Sequence, residues 1–234
     1  MSKISKIPYY KERLLRNILG VLDKLITYQR PMYNSDHYRT PTRNGSFPFI
    51  PSNTSLVFED FMMLSNVLFC DKSDLTSSNE LQAREAWDCR NNCNDGIKFL
   101  DAGCGIGNIM LIAKVIELGT SFHGIEYFDD TYQKALNWLG ISGRGKSEEY
   151  KIFKKDILDF TKYHDYDIIY YYRPFEDTSS QIKFEMLVEN SMKIGGILIP
   201  RSKRGIVQIT EDKRFRSIFD RSECIEPMYI KVSE

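Results

Sequence analysis

Cysteine and histidine are scarce in this chain, with five cysteines and three histidines among 234 residues. Five cysteines are too few for a disulfide scaffold. This low number is typical of a reducing compartment, and we therefore expect a cytoplasmic protein. Cys89 and Cys93 lie close together in CRNNC, but no second pair at matching spacing accompanies them. His37, His123 and His164 are not at ligand spacing either. We therefore expect no zinc site.

Long apolar runs are also missing, since none approaches the ~20 residues that a membrane-spanning helix needs. The first residues, MSKISKIPYYKER, lack the apolar core of a signal peptide. We therefore expect neither membrane insertion nor export. The formal net charge is zero, so the whole chain has no general attraction for nucleic acid or membranes. What remains is a globular chain long enough for one large domain, or one domain with a cap.

The charges are unevenly distributed in the first hundred residues. Residues 1–50 contain nine Lys or Arg against three Asp or Glu, whereas residues 51–98 contain four against eight. Two interpretations of the basic segment remain open. It forms a solvated amphipathic helix that caps a neighbouring domain, or it contacts RNA phosphates or an acidic partner. No RNA-binding module motif accompanies it.

The first 95 residues predict a helical cap with an irregular loop. Residues 8–29 place Leu14, Ile18, Leu22 and Leu25 at helical spacing. Residues 30–54 contain four prolines and many polar residues, which predicts an irregular loop. A helical pattern returns at 56–69, and residues 71–96 are polar and typical of turns.

From residue 97 onwards, short β-prone runs alternate with helical stretches. The predicted strands are 97–101, 121–126, 150–155, 167–172 and 195–200, and the predicted helices are 108–118, 130–139 and 179–192. This alternation predicts an α/β domain at 96–234 with a doubly wound, mostly parallel sheet. After residue 201 we expect a short helix near 211–219 and a last strand at 228–232.

The stretch FLDAGCGIGN (99–108) has three glycines between a predicted strand and a predicted helix. Glycines at such a turn let backbone N–H groups approach a ligand closely. A dinucleotide site needs G-x-G-x-x-G, but Asn108 stands where its third glycine belongs, which argues against an NAD-dependent oxidoreductase. Asp101 at the loop entrance would repel a pyrophosphate and suits a positively charged ligand instead.

The spacing D-x-G-x-G-x-G from Asp101 resembles motif I of the class I S-adenosylmethionine (SAM)-dependent methyltransferases. The resemblance covers residues 97–200, including the Gly-Gly turn in MKIGGILIP (192–200), and implies a seven-stranded-type sheet. It implies SAM as cofactor and S-adenosyl-L-homocysteine (SAH) as product, with Glu126 on the ribose hydroxyls, Asp156 on the adenine amino group and the Ile157 N–H on the ring. The implied cofactor-binding residues are Asp101, Ala102, Gly103, Cys104, Gly105, Gly107, Glu126, Tyr127, Asp156 and Ile157.

The run YYYRPFED (170–177) ends the fourth predicted strand. In open α/β sheets, ligands bind at the carboxyl ends of the strands, so we expect this end to border the methyl acceptor. One of the inner tyrosines should pack in the core. Arg173 stays protonated and could orient an anionic or carbonyl-bearing substrate. Tyr172 or Phe175 could stack on a planar acceptor or face the sulfonium. The predicted catalytic residues are therefore Tyr172, Arg173 and Phe175.

Two family patterns bear on the acceptor. Many amino-directed nucleic-acid methyltransferases have Asn/Asp-Pro-Pro-Tyr/Phe at this strand end, but here the residues are Tyr-Arg-Pro-Phe, which argues against methylation of a base amine. The chain also resembles, more loosely, the non-SET histone-lysine methyltransferases. The similarity lies in the helix SLVFEDFMMLSNVL (55–68) and in F-E-x-x-x-x-N-x-x-x-x-G-G from Phe184 to Gly196. The Asn-Asn pair of those enzymes is replaced by Tyr172 and Arg173.

We therefore expect a SAM-dependent methyltransferase whose acceptor is unidentified, with a small molecule or a protein side chain favoured over RNA. We expect residues 30–54 to fold over the substrate as a lid. The alternative is a non-catalytic protein of the same fold that serves in binding or assembly. The acids and glycines of the implied site are all present, which favours the enzyme.

Overall fold

The computed structural model describes residues 16–18, 20, 54–91, 96–141, 149–175, 178–201, 206–219 and 227–234. The helices are α1 (Thr54–Phe69), α2 (Ser78–Asn91), α3 (Asn108–Val115), α4 (Asp129–Trp138), α5 (Thr178–Ser191) and α6 (Ile206–Glu211). The strands are β1 (Lys98–Ala102), β2 (Ser121–Glu126), β3 (Tyr150–Lys154), β4 (Ile168–Tyr172), β5 (Ile197–Arg201), β6 (Phe215–Ser217) and β7 (Tyr229–Lys231). No helix within these ranges is long and apolar enough to cross a membrane.

The seven strands form one sheet in the order β3-β2-β1-β4-β5-β7-β6. Strands β1 to β5 are parallel, whereas β7 pairs antiparallel with both β5 and β6. The prediction of a doubly wound, mostly parallel, seven-stranded sheet is thereby confirmed. In this arrangement the carboxyl ends of the five parallel strands meet at one edge, where a ligand can lie between the loops.

Both faces of the sheet are covered, so its central strands β1, β4 and β5 are mostly apolar. On one face, the Phe61 ring of α1 lies 5.7 Å from the ring of Phe99 and 5.8 Å from that of Tyr170. On the other face, the Tyr171 ring lies 5.1 Å from that of Phe184 in α5. Tyr170 and Tyr171 are each 1% exposed, so both inner tyrosines belong to the core.

Helix α2 lies in the segment 71–96, for which we expected turns. Its first turn is closed by a capping box, because the Glu80 N–H donates to Ser77 Oγ and the Ser77 N–H donates to Glu80 Oε2. Ala83 and Trp87, one turn apart, are its buried apolar residues. The prediction was wrong because so narrow an apolar stripe is hidden by the surrounding polar residues.

The prediction of a short helix near 211–219 is also wrong. Helix α6 ends at Glu211, and Phe215–Ser217 forms strand β6 at the edge of the sheet. The turn between them is closed by Asp212, which accepts from the Arg214 N–H (2.9 Å). Pairing with β7 therefore overrides the local helical pattern.

The remaining predicted elements agree with the structure within the described residues. The helix at 56–69 is α1, and the last strand at 228–232 is β7. Of the helix predicted at 8–29, residues 16–18 and 20 are described and are helical. The loop predicted at 30–54, apart from its last residue in α1, lies outside the described residues.

Candidate functional site

The loop between β1 and α3 lies across the carboxyl ends of two strands. The N–H groups of Gly103 and Cys104 both donate to the Ile125 carbonyl of β2, at 3.0 and 2.9 Å. Gly103, Gly105 and Gly107 have φ values of 87°, 54° and 87°, which residues with a side chain rarely adopt. Three glycines are therefore needed to bring the backbone over the sheet edge in this path.

A fourth glycine, Gly124 in β2, makes room for this loop. A Cβ at this position would lie 2.5 Å from Cys104 Sγ and 2.8 Å from Met110 Sδ. Sequence analysis did not assign a role to Gly124. The available indication was a glycine inside a strand, which often marks a close backbone approach.

Two carboxylates, Asp101 and Glu126, face the same side of the sheet beside this loop. Asp101 pairs in register with Gly124, and Glu126 lies two residues beyond Gly124 on the same strand. Both residues are buried, with 2% and 5% of their surface exposed. Glu126 Oε2 accepts from the Gly105 N–H (3.0 Å), and its Oε1 accepts from the Phe128 N–H (2.7 Å). Asp101 Oδ2 has no hydrogen-bond partner within the described residues.

Burial makes the carboxyl groups of Asp101 and Glu126 weaker acids than usual. It raises the pKa of Asp101 well above its usual range, and the charge of Glu126 raises it further. Burial also raises the pKa of Glu126 to about 7, although the N–H groups of Phe128 and Gly105 oppose this. The pKa of the buried Cys104 thiol is raised by burial and by the same two carboxyls. The site therefore disfavours negative charge and favours a cationic ligand.

These features fit SAM or a similar nucleoside cation. An orphaned buried carboxylate oxygen needs a donor or a positive charge, and Glu126 offers acceptor oxygens at the end of β2. Among the described residues, a Cβ on Gly103 would meet only Pro174 Cβ, at 3.6 Å, so the loop also lies next to the end of β4. The structure thus brings the glycine loop, the two acids and the β4 end together.

Three other residues predicted to bind the cofactor, Tyr127, Asp156 and Ile157, follow β2 and β3. Tyr127 is 47% exposed, and Lys154 Nζ lies 5.3 Å from the centre of its ring while contacting the Tyr127 carbonyl oxygen. Asp156 is half-buried, and its Oδ1 accepts from the Leu158 N–H (2.9 Å). Ile157 is buried. Their contacts with a nucleoside stay a prediction.

The predicted catalytic residues have different environments. Tyr172 is 36% exposed at the end of β4. Arg173 is half-buried and has φ 31°, an uncommon conformation for a residue with a side chain. Phe175 is 2% exposed, its ring packs 6.1 Å from that of Phe184, and its N–H donates to Gln181 Oε1 (3.1 Å). This environment favours a packing role for Phe175 over contact with an acceptor.

A buried ion pair that the sequence did not indicate lies beside Tyr172. Arg201 pairs in register with Tyr172, and its Nη2 donates to Asp60 Oδ2 of α1 (2.7 Å). Their side chains are 3% and 2% exposed. The two residues are 141 positions apart, so no local pattern could have indicated the contact.

Two linked hydrogen bonds, one from the segment after β4 to α5 and one within α5, were also not predicted from the sequence. The Gln181 side chain that accepts from Phe175 donates through Nε2 to Glu185 Oε1 (2.6 Å). Glu185 lies in the Phe-Glu pattern that resembled the histone-lysine methyltransferases, which was the available indication.

No protein-family model and no curated protein matches the chain. An RNA methyltransferase from Salinibacter ruber, solved with SAH, is 14% identical over 79% of this chain and 95% of its own, with a TM-score of 0.47. A methyltransferase described as putative from Thermoplasma acidophilum is 16% identical over 59% of this chain and 69% of its own, with a TM-score of 0.43. CalS10, an amino pentose methyltransferase from Micromonospora echinaspora, is 16% identical over 53% of this chain and 50% of its own, with a TM-score of 0.36. Similarities of this size do not identify a reaction.

Proposed function

We propose that this protein is a SAM-dependent methyltransferase. The observation that carries the proposal is the buried acidic pair at the glycine loop, where Asp101 has an oxygen without a partner in the described residues and Glu126 is held by two backbone N–H groups. A bound phosphate would meet two buried carboxylates there, whereas a cation with ribose hydroxyls would satisfy both. The site therefore favours SAM over a dinucleotide.

SAM supplies an electrophilic methyl group on a positively charged sulfur. In this proposal, Asp101 and the backbone of Gly103 to Gly107 hold the amino-acid part, and Glu126 accepts from the ribose hydroxyls. Asp156 and Ile157 hold the adenine, next to Tyr127. The chain contributes mainly placement, since holding a nucleophile in line with the methyl group supplies several kcal/mol without acid–base chemistry.

The acceptor is proposed to bind at the end of β4. The exposed part of Tyr172 and the guanidinium of Arg173 are the groups we assign to it. A guanidinium orients anionic or carbonyl-bearing groups by paired hydrogen bonds. The missing Asn/Asp-Pro-Pro pattern argues against a base amine as the acceptor, so we propose a small molecule or a protein side chain rather than RNA.

A thermal-shift series with SAM, SAH and NAD tests the cofactor. A ligand at ~100 times its Kd stabilises the folded state by about 2.7 kcal/mol. For a chain of this length the expected rise in Tm is roughly 5–10 °C with SAM or SAH, with no rise for NAD. Failure of both SAM and SAH to raise the Tm would falsify the proposal.

A tritiated-methyl assay on cell extract tests the reaction. We expect labelled product with the wild-type protein and at least tenfold less with Tyr172→Phe/Arg173→Ala, while the Tm rise with SAH is retained. SAM binding without label transfer to any acceptor, together with an unaltered phenotype of Glu126→Ala in cells, would instead indicate a non-catalytic binding or assembly protein.

A further inference from the structure

Among the residues that the structure describes, no cation is in direct contact with the Asp101–Glu126 pair. Within the described ranges, neither carboxylate forms an ion pair. The charge of Lys154 in β3 lowers the pKa of Glu126, but Lys154 also lies 3.2 Å from Asp129 of α4 and contacts the Tyr127 carbonyl. The loop contributes the Cys104 thiol, which is buried as well. The pair thus lies among backbone N–H groups, a thiol and a shared lysine.

Two neighbouring carboxyl groups in such a place do not both ionise readily. Burial penalises each charge, and each charge penalises the other. The resulting pKa of Glu126 is about 7, and that of Asp101 is raised well above its usual range. Below pH 7 the ligand-free pair therefore holds a proton, which belongs to the pair as a whole.

Ligand binding changes this balance. Each oxygen of Glu126 already accepts one N–H, and an ionised carboxylate has lone pairs left for two hydroxyl donors. If Glu126 were protonated, its O–H group would face the hydroxyl donors of the ligand, and one acceptor lone pair would be lost. A positive charge in the same buried space lowers the cost of ionising both acids. Nucleoside binding and deprotonation of the pair are therefore coupled.

We propose that Asp101 and Glu126 form a charge-selective element that expels a proton when SAM binds and expels less when the uncharged-sulfur product SAH binds. The inference rests on the proposed function and names the groups that distinguish cofactor from product. In the coupled step, the O–H bond of a carboxyl group in the pair breaks and its proton passes to the buffer. No covalent bond of the ligand forms or breaks in this step.

Calorimetric titration of the full-length protein tests this directly. SAM and SAH are titrated at pH 6.5 in two buffers of different ionisation enthalpy, and the difference in heat gives the number of protons released. We expect a release approaching one proton or more for SAM and a smaller release for SAH. With one group of pKa about 7, the Kd for SAM should fall about tenfold between pH 6 and pH 8.

Two variants and a control locate the protons. Glu126→Gln and Asp101→Asn keep the shape of the side chains but remove one titrating group each, so each should reduce the release and flatten the pH dependence of the Kd. Glu189→Gln is the matched control, because Glu189 is a buried glutamate with a pKa also raised to about 7, on α5. It should leave the release unchanged.

The wild-type titration decides the matter even if a variant does not fold. Equal release by SAM and SAH, or binding of both without release, overturns the inference and leaves the proposed function intact. Absence of binding by either ligand overturns the proposed function instead.

Discussion

At Gly124, the sheet and the glycine loop come so close that no side chain fits between them. A Cβ there would lie 2.8 Å from Cys104 Cβ as well as 2.5 Å from its Sγ. The Cys104 Cβ is bonded directly to the backbone, so it cannot move aside as the end of a long side chain can. The position of the loop over the acids therefore depends on a glycine outside the D-x-G-x-G-x-G motif.

We expect Gly124→Ala to lower the free energy of unfolding by about 1–3 kcal/mol, the usual cost of overpacking a core. It should also weaken SAM binding, because the loop has to shift. Denaturant unfolding followed by circular dichroism measures the first effect. Gly20→Ala is the control, since Gly20 is an exposed helical residue where a methyl group meets nothing within 4 Å among the described residues. Equal stability of the two variants would contradict the steric account.

Among the elements, α1 is tied to the sheet by a buried charge pair. Asp60 of α1 and Arg201 of β5 meet next to Tyr172, while Phe61 packs on the strands below. Such a pair adds little net stability, but loss of one partner leaves the other charge buried and poorly compensated. The helix thereby also borders the proposed acceptor site.

We expect Arg201→Met to cost about 3–5 kcal/mol of unfolding free energy. The double variant Asp60→Leu/Arg201→Met should recover most of that loss, because both buried charges are removed together. Glu59→Gln is the control one residue away, since Glu59 pairs with Arg16 at 3.4 Å on the exposed side of α1 and should cost less than about 1 kcal/mol. A double variant no more stable than Arg201→Met would count against the charge explanation.

At the scale of the whole molecule, the raised acids make the folding stability depend on pH. Burial raises the pKa of Glu126 and of Glu189 to about 7 in the folded state, from 4.5. Between these values the folded state binds more protons, so this contribution to stability is lost as pH rises through 7. His123 acts oppositely between pH 4 and 6.5, because burial and two lysines lower its pKa to about 4.

The ligand-free protein should therefore lose on the order of 3 kcal/mol of unfolding free energy between pH 5 and pH 8. Denaturant midpoints across that range measure the loss, and Glu126→Gln and Glu189→Gln should each reduce it. Saturating SAM should remove the Glu126 contribution. A stability that rises steadily from pH 5 to pH 8 would show that the acids are not protonated in the folded protein.

The sequence by itself determined the alternation of strands and helices, the glycine loop and the acids at the ends of β1, β2 and β3. These features depend on short-range periodicity and turn chemistry, which a single chain displays directly. Tertiary structure decided that Phe175 packs in the core, that a polar segment forms α2, that 215–217 is a strand, and that Asp60 meets Arg201. Those outcomes depend on partners far away in the chain, so no local pattern specifies them.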